Sequence, residues 1–181
     1  RKNSSGALPV VIAVAVLTAG AGAGTKAAVS HAHGHPARKT VTGTVTGNAA
    51  GAQAVAFARS KVGKVPYVWG GTTDSGMDCS GLAQSAYAAA GISIKRTSQD
   101  QWASERHVPG SKVVPGDLVF FAGSDGTPSS PGHVGIGVDP ARHTMIDAYA
   151  AGTDVRYDGY GPAASPGTGL SAVVGFTDPA P

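Results

Sequence analysis

Cysteine is almost absent from this chain of 181 residues, which contains a single copy, Cys79. One cysteine cannot close a disulfide within the chain, so a disulfide-stabilised scaffold is excluded. Aromatic residues make up 6% and charged residues 14% of the sequence. No acidic residue occurs before residue 49, whereas that segment carries five basic residues. The lone thiol and the one-sided charge of the N-terminal segment are therefore the first features to explain.

The basic character of the chain comes from its first 48 residues. The formal net charge is +3, from 14 Lys/Arg and 11 Asp/Glu. Because five of the basic residues precede residue 49, the remainder carries nine basic and eleven acidic residues, a net charge of −2. This remainder has no basic stripe with interleaved aromatic residues, so we expect no nucleic-acid partner.

Residues 1–23 have the pattern of an export signal. Arg1 and Lys2 precede an uncharged, mostly apolar stretch that is followed by small residues, which is typical of a signal peptide. The uncharged stretch 7–23 is about 17 residues long, the short limit for a helix that crosses a bilayer. A cleaved signal peptide and an uncleaved membrane tether through residues 7–23 both remain open. Either predicts an extracytoplasmic domain, secreted or anchored to the cytoplasmic membrane and facing the cell wall.

Residues 24–48 predict a flexible linker, and residues 49–178 predict a single folded domain. The linker is rich in small and basic residues and has no sustained apolar period. In the domain, helical segments beginning near residues 49, 79 and 98 precede a series of short strands. These strands are expected at 117–121, 133–138, 144–148, 154–157 and 172–176. This order predicts an α+β fold, and Gln101, three residues after Ser98, indicates a capping box on the third helix.

The position of Cys79 favours a reactive thiol. Free backbone N–H groups and the positive end of the helix dipole favour a thiolate in the first turn of the second predicted helix. His133 lies downstream at the start of an apolar strand, where it is a candidate base for such a nucleophile. A buried, structural cysteine is the alternative.

Five motifs occur together between about Ala54 and Phe176 and resemble those of the NlpC/P60 family of bacterial cell-wall cysteine peptidases. In order, they are PYVWGG at 66–71, DCSGL at 78–82, RTSQ at 96–99, PGDLVFF at 115–121 and GHVGI at 132–136. The resemblance implies a papain-like α+β fold, with N-terminal helices packed on a small antiparallel sheet of about five to six strands. It also implies cleavage of peptidoglycan stem peptides, usually at the bond between D-γ-glutamate and the following diamino acid.

The resemblance further implies that Cys79 is the nucleophile, that His133 is the general base and that Asp147 occupies the third catalytic position. The commonest family pattern has a histidine there. A carboxylate is a sound substitute because it can accept a hydrogen bond from His133 Nδ1–H and stabilise the imidazolium. The two residues lie on adjacent predicted strands, so their side chains are expected on one face. An Asp147 facing solvent is the alternative. No metal or organic cofactor is expected.

Further residues are candidates for contact with the stem peptide: Tyr67, Asp78, Ser80, Arg96 and Gly132. The hydroxyl of Tyr67 is expected to bind the substrate or, together with a backbone N–H, the oxyanion. Asp78 has a second possible role as a helix cap, and the role of Ser80 is equally open. Arg96 is a partner for a stem-peptide carboxylate or a member of a structural salt bridge.

Other expectations concern the loop at 66–71 and the class of activity. Trp69 is expected to pack in the core beneath this loop, and Gly70 and Gly71 to let its backbone pass close to a bound peptide. We expect a monomer whose partner is the peptidoglycan stem peptide. An amidase that cuts between sugar and L-alanine and a non-catalytic peptidoglycan-binding domain are the alternative functions. The presence of both Cys79 and His133 argues against the non-catalytic alternative.

Overall fold

A computed structural model describes residues 47–180. The predicted signal peptide or anchor at 1–23 lies outside the described residues, as does the predicted linker at 24–48 except for its last two residues. Those two residues belong to the first helix, which begins at Gly47. Within residues 47–180, none of the helices has the length and apolar character needed to cross a membrane.

Three α-helices precede most of the strands, as the sequence predicts. The helices are α1 (Gly47–Lys61), α2 (Cys79–Ala89) and α3 (Ser98–Ser104). The strands are β1 (Thr72–Thr73), β2 (Gly76–Met77), β3 (Arg106–Val108), β4 (Leu118–Phe121), β5 (His133–Asp139), β6 (Thr144–Asp147), β7 (Arg156–Gly159) and β8 (Val173–Asp178). The first three strands are not predicted from the sequence, because two or three residues are too few to show a period-two pattern.

Strands β3 to β8 form a six-stranded antiparallel sheet in the order β3-β8-β4-β5-β6-β7, and β1 and β2 form a separate hairpin. The predicted α+β class and the predicted number of strands are therefore confirmed. Because β4 to β7 are sequential neighbours, the end of β4, the start of β5, the end of β6 and the start of β7 lie at the same end of the sheet. His133 and Asp147 are both at this end.

The centre of the sheet is buried on both faces. Along β4, Leu118 and Phe120 belong to the core shared with α1 and α2, whereas Val119 and Phe121 pack in a second cluster that includes Tyr160. A strand buried on both faces needs apolar residues at consecutive positions, which explains the unbroken apolar run of β4.

Alanines form much of the helix surface that covers the sheet. Ala50, Ala54 and Ala58 of α1 and Ala83 and Ala86 of α2 are completely buried. Their spacing of three or four residues places them on one face of each helix. Side chains this small let the two helices pack closely against each other and against the core side of the sheet.

Gly81 lets the first turn of α2 pack against the preceding loop. A Cβ atom at this position would lie 2.1 Å from the carbonyl oxygen of Gly71 and 2.9 Å from the carboxylate of Asp78. We therefore expect Gly81→Ala to displace the start of α2 and to lower the free energy of unfolding by about 1–3 kcal/mol. Urea denaturation followed by circular dichroism measures this change. Gly110→Ala is the control, since its Cβ atom would meet the Phe176 ring at 3.4 Å; equal losses in the two variants would contradict the prediction.

Candidate active site

Cys79 is the first residue of α2, and Asp78 is the N-cap of this helix. Asp78 has an extended backbone, and its Oδ1 accepts a hydrogen bond from the Gly81 N–H at 2.7 Å. A cap of this kind satisfies one of the free N–H groups of the first turn and fixes where the helix starts. The half-buried thiol of Cys79 therefore lies at the positive end of the helix dipole, as the sequence predicts.

The Asp78 carboxylate also binds the chain segments on both sides of the helix start. Its Oδ2 accepts hydrogen bonds from the Gly70 N–H at 2.8 Å and from Arg96 Nη2 at 2.6 Å. Arg96 Nη1 donates to Asp78 Oδ1 at 3.0 Å and to Ser80 Oγ at 2.9 Å. The hydrogen bond to Asp78 is the main cause of a raised pKa for the Arg96 guanidinium. Asp78 therefore caps α2 and Arg96 forms an ion pair with it, while contact of either side chain with the stem peptide stays a prediction.

Gln101 supports the same region from the core, and the predicted capping box is wrong. Thr97 is the N-cap of α3, and its Oγ1 accepts a hydrogen bond from the Asp100 N–H at 3.1 Å. Gln101 is fully buried, and its Nε2 donates to two backbone carbonyls, one of them that of Ser80 at 3.0 Å. The prediction failed because Thr97 and Ser98 are both good cap residues, and the backbone conformation that selects one of them is not visible in the sequence.

His133 and Asp147 form a buried, hydrogen-bonded pair at the end of the sheet. His133 Nε2 lies 2.9 Å from Asp147 Oδ2. Asp147 is completely buried and His133 is 8% exposed, which excludes an Asp147 that faces solvent. The prediction that this hydrogen bond is made by Nδ1 is wrong. The imidazole extends from the start of β5 toward β6, so the nitrogen farther from the backbone reaches the carboxylate.

The surroundings of His133 favour its charged form. Burial opposes the imidazolium, but the hydrogen bonds and negative charges of Asp147 and Cys79 outweigh this effect and raise the pKa of His133 above its ordinary value of 6.5. His133 and Cys79 line the same cavity, so the charged imidazole is a neighbour of the thiol. The rings of Phe121 and Tyr149 lie on the other sides of the imidazole, each with a centroid distance of 5.8 Å.

Two adjoining cavities run along the surface on either side of Cys79. One has a volume of about 470 Å³ and includes His133, and the other has a volume of about 390 Å³ and includes Arg96. Both are lined by Cys79, Trp69 and Gly132. Seven of the eight predicted site residues line one or both cavities, and the eighth, Asp147, lies buried behind the imidazole. The fold therefore brings the predicted residues together in one open cleft.

The surroundings of two cleft residues, Tyr67 and Gly132, limit the state of one and the residue type of the other. Burial and the negative charges of Cys79, Asp78 and Asp125 raise the pKa of Tyr67, so its hydroxyl keeps its proton and can act as a donor. Gly132 is required as glycine, because a Cβ atom there would lie 2.8 Å from the Gly126 backbone nitrogen and 2.9 Å from the Ala122 carbonyl oxygen, and these backbone atoms cannot move aside as a side chain can. The Gly132 carbonyl oxygen lies 4.0 Å from Cys79 Sγ.

Trp69 does not pack in the core as expected; it is 75% exposed at the rim of both cavities. The Gly71 N–H donates to the Val68 carbonyl at 2.9 Å, which closes a tight turn with Trp69 and Gly70 at its tip. Gly70 has a φ of 78°, and a Cβ atom on Gly71 would lie 2.4 Å from a backbone oxygen of Gly76. Both glycines therefore serve the folding of this loop.

Three residues near the site are missed by the sequence analysis. Asp125 lines both cavities, Tyr149 contacts the His133 ring, and Arg156 lies directly opposite Asp147 in the β6–β7 pairing. Asp125 comes from a loop without a periodic pattern and gave no signal. For Arg156 a signal existed, since β6 and β7 are both predicted strands, but the register between them depends on the connecting loop.

Residues 63–161, more than half of the chain, match the family model described as NlpC/P60 family. The chain belongs to the NlpC/P60 family. The expected resemblance is thereby confirmed, and with it the expectation that the domain is an enzyme.

Relatives with assigned names share this domain. The probable endopeptidase p60 of Listeria monocytogenes is 42% identical over 104 residues, which cover 58% of this chain and 20% of that protein. The bifunctional muramidase/DL-endopeptidase CwlT of Bacillus subtilis is 43% identical over 79 residues, or 42% of this chain and 23% of that protein. The solved structure of the peptidoglycan hydrolase RipB from Mycobacterium tuberculosis is 29% identical, with a TM-score of 0.58 over 75% of this chain and 67% of that chain. The chain spans about a fifth of the length of the two curated relatives.

The raised pKa of His133 leads to a prediction for NMR titration. The imidazole resonances of His133 should titrate above the ordinary value of 6.5, and Asp147→Asn should lower the midpoint because the charge that favours the imidazolium is lost. The protonated ring therefore stabilises the fold fully below the unfolded-state pKa, and this contribution is lost as pH rises through the folded-state value. A titration midpoint at or below 6.5 in the wild type would contradict the raised pKa of His133.

Proposed function

We propose that this domain is a peptidoglycan endopeptidase that cleaves stem peptides at the bond between D-γ-glutamate and the following diamino acid. The observation that carries the proposal is the arrangement of Cys79, His133 and Asp147: the thiol and the imidazole line one open cleft, and the imidazole is hydrogen-bonded to the buried carboxylate. A nucleophile, a base and a group that orients the base are the parts that thiol-based acyl transfer needs. The relative CwlT is named a DL-endopeptidase, which agrees with a bond that follows a D-residue.

The proposed reaction begins with attack by the Cys79 thiolate on the γ-glutamyl carbonyl carbon. The negative charge that develops on the carbonyl oxygen is accepted by the Cys79 N–H, which is free at the start of the helix, and by the Tyr67 hydroxyl. As the C–N bond breaks, the His133 imidazolium gives its proton to the departing amine and leaves an acyl-thioester. His133 then takes a proton from water, which attacks the thioester and releases the γ-glutamyl carboxylate and the thiol.

The cleft wall next to Cys79 is the proposed binding surface for the part of the stem peptide before the scissile bond. Ser80, Arg96 and Gly132 line this side together with the Asp78 carboxylate. Asp78 and Arg96 already satisfy each other, so they offer the peptide a rigid, neutral pair of polar groups. Trp69 stands above both halves of the cleft and offers an apolar face to the bound chain.

The proposed substrate requires a location outside the cytoplasmic membrane. We propose that the domain is exported through residues 1–23, either as a secreted protein or on a membrane tether, and that residues 24–48 link it to that segment. We also propose that the enzyme acts as a monomer, since the row of catalytic groups and both cavities are formed by one chain.

Loss of either Cys79 or His133 is expected to abolish hydrolysis of purified sacculi. A nucleophile and its base act as one unit, so Cys79→Ala and His133→Ala should cause equal losses of turnover, on the order of a thousandfold or more. His143→Ala and His107→Ala are the controls, because neither histidine lines the two cavities that contain Cys79, and both variants should stay within a few fold of wild type. An active Cys79→Ala enzyme would overturn the proposal.

Mass spectrometry of the released muropeptides distinguishes the endopeptidase from an amidase. The proposed cut leaves fragments that end in D-glutamate and fragments that begin with the diamino acid. Cleavage between sugar and L-alanine leaves intact stem peptides instead. Binding to sacculi with no release of fragments in the wild type, under conditions in which a known endopeptidase releases them, would identify a non-catalytic wall-binding domain.

Asp147→Ala should lower turnover more mildly than loss of the nucleophile, since the imidazole still finds the productive orientation part of the time. Asp147→Asn should recover part of the loss by accepting from Nε2–H, but the alkaline limb of its pH–rate profile should move to lower pH. The direction follows from the loss of a charge that raises the pKa of His133. Asp139→Asn, at an exposed ion pair, is the control. If Asp147→Ala has the turnover and the pH profile of the wild type, Asp147 has no catalytic role and the site consists of Cys79 and His133 alone.

A further inference from the structure

We propose that Arg156 is a positioning residue that extends the catalytic row by one member and fixes the orientation of the Asp147 carboxylate. This inference rests on the proposed function and assigns a role to a residue that touches neither the substrate nor the reacting atoms. It accounts for a buried guanidinium nitrogen and a buried carboxylate oxygen that face each other behind the imidazole.

Two buried polar atoms carry the argument. Asp147 uses Oδ2 for its hydrogen bond to His133, and its Oδ1 has no hydrogen-bond partner within residues 47–180. Arg156 Nε is also buried and also lacks a partner in that range. The two atoms lie 3.9 Å apart, and a movement of about 1 Å closes this gap to an ordinary hydrogen bond. Because unpaired buried polar atoms are costly, each is the natural partner of the other.

Strand pairing aims the two groups at each other. Asp147 is the last residue of β6 and Arg156 the first of β7, and they are direct partners in the antiparallel register. Directly opposed residues on antiparallel strands project to the same face of the sheet. The approach of Arg156 to Asp147 is therefore a consequence of the sheet and does not depend on a mobile loop.

The guanidinium is held in place from two further sides. Its Nη2 forms an ion pair with Asp158, which is buried, and its planar group lies 4.6 Å from the centroid of the Tyr149 ring. The same Tyr149 ring contacts the imidazole of His133 edge-on. Since a planar guanidinium offers donors in several directions, Arg156 can bind Asp158 and orient Asp147 at once, which a lysine ammonium cannot do with the same geometry.

Positive and negative side chains alternate from His133 through Asp147 and Arg156 to Asp158. The imidazole is flanked by Cys79 from α2, by the Tyr149 ring after β6 and by the apolar Phe121 ring from β4. Behind it follow the Asp147 carboxylate from β6 and then the Arg156 guanidinium and the Asp158 carboxylate from β7. Without Arg156, the carboxylates of Asp147 and Asp158 would lie close together in a buried site with no cation between them. Like charges in such a site repel, so Asp147 would turn away from His133 or take up a proton.

Arg156→Gln in the full chain tests the proposal by kinetics. We expect kcat on soluble muropeptides to fall on the order of tenfold, the lower end of the effect seen for residues that orient catalytic groups, with KM changed by less than twofold. Arg142→Gln is the matched control, because Arg142 is an exposed arginine in the β5–β6 connection, where it pairs with Asp139. Arg156→Lys should recover only part of the loss. An Arg156→Gln enzyme with wild-type kcat, measured per folded molecule by circular dichroism, would overturn the proposal.

NMR titration of His133 in Arg156→Gln gives a second readout that needs no substrate. If Arg156 orients Asp147, its loss weakens the hydrogen bond to the imidazole, and the titration midpoint of His133 falls. If Arg156 were only a nearby positive charge, its loss would remove repulsion and raise the midpoint. A fall supports the proposal, and an unchanged or higher midpoint overturns it. Because this measurement is independent of hydrolysis, it separates a failure of the positioning role from a failure of the proposed endopeptidase function.

Discussion

The position of Cys79 depends on the hydrogen bonds and the ion pair of one side chain, the Asp78 carboxylate. One side chain caps α2, accepts from the backbone of the preceding loop at Gly70 and pairs with Arg96 from the segment before α3. These three pieces of chain meet directly beside Cys79. Charge-assisted hydrogen bonds in a mostly buried site are strong and directional, so the carboxylate fixes the position of the thiol as well as the start of the helix.

The second constraint is the end of the antiparallel sheet. Neighbouring strands bring their ends together, and this places His133, Asp147 and Arg156 in a line that runs away from the helix. The helix supplies the nucleophile and the sheet supplies every group behind it. His133 lines the cleft, whereas Asp147, the next member of the line, is already fully buried because the sheet is covered on both faces. A hydrogen bond between the imidazole and the carboxylate is stronger in such a buried site.

Burial gives the two ends of this line different properties. Cys79 remains half-buried and open to the cleft, whereas Asp147 is shielded from solvent. A shielded carboxylate keeps the imidazole charged against the cost of burial, which is why the pKa of His133 is raised although the ring is in the interior. The proposed chemistry needs both properties: a thiol that the substrate can reach and a carboxylate that is shielded from solvent.

Much of this organisation was predictable from the sequence because it depends on local patterns. The start of α2 near Cys79 and the strands that carry His133 and Asp147 follow from helix and strand patterns, and a cap is one of the two roles that the sequence leaves open for Asp78. Predictions failed where a choice between similar local options was needed. The cap of α3 lies at Thr97, one residue before the predicted position, because neighbouring serine and threonine residues are equally good caps.

The sequence by itself determined the class of fold and the nucleophile candidate, which depend on residue type and on spacing along the chain. The other candidate site residues followed from motifs that resemble those of the NlpC/P60 family. Tertiary structure alone decided that Trp69 stands exposed on a turn, that Asp147 meets Nε2 of His133, and that Arg156 faces Asp147 from the next strand. These features depend on the register between strands and on the direction in which a turn presents its tip. Both are fixed by contacts between segments far apart in the chain, and local residue patterns do not record them.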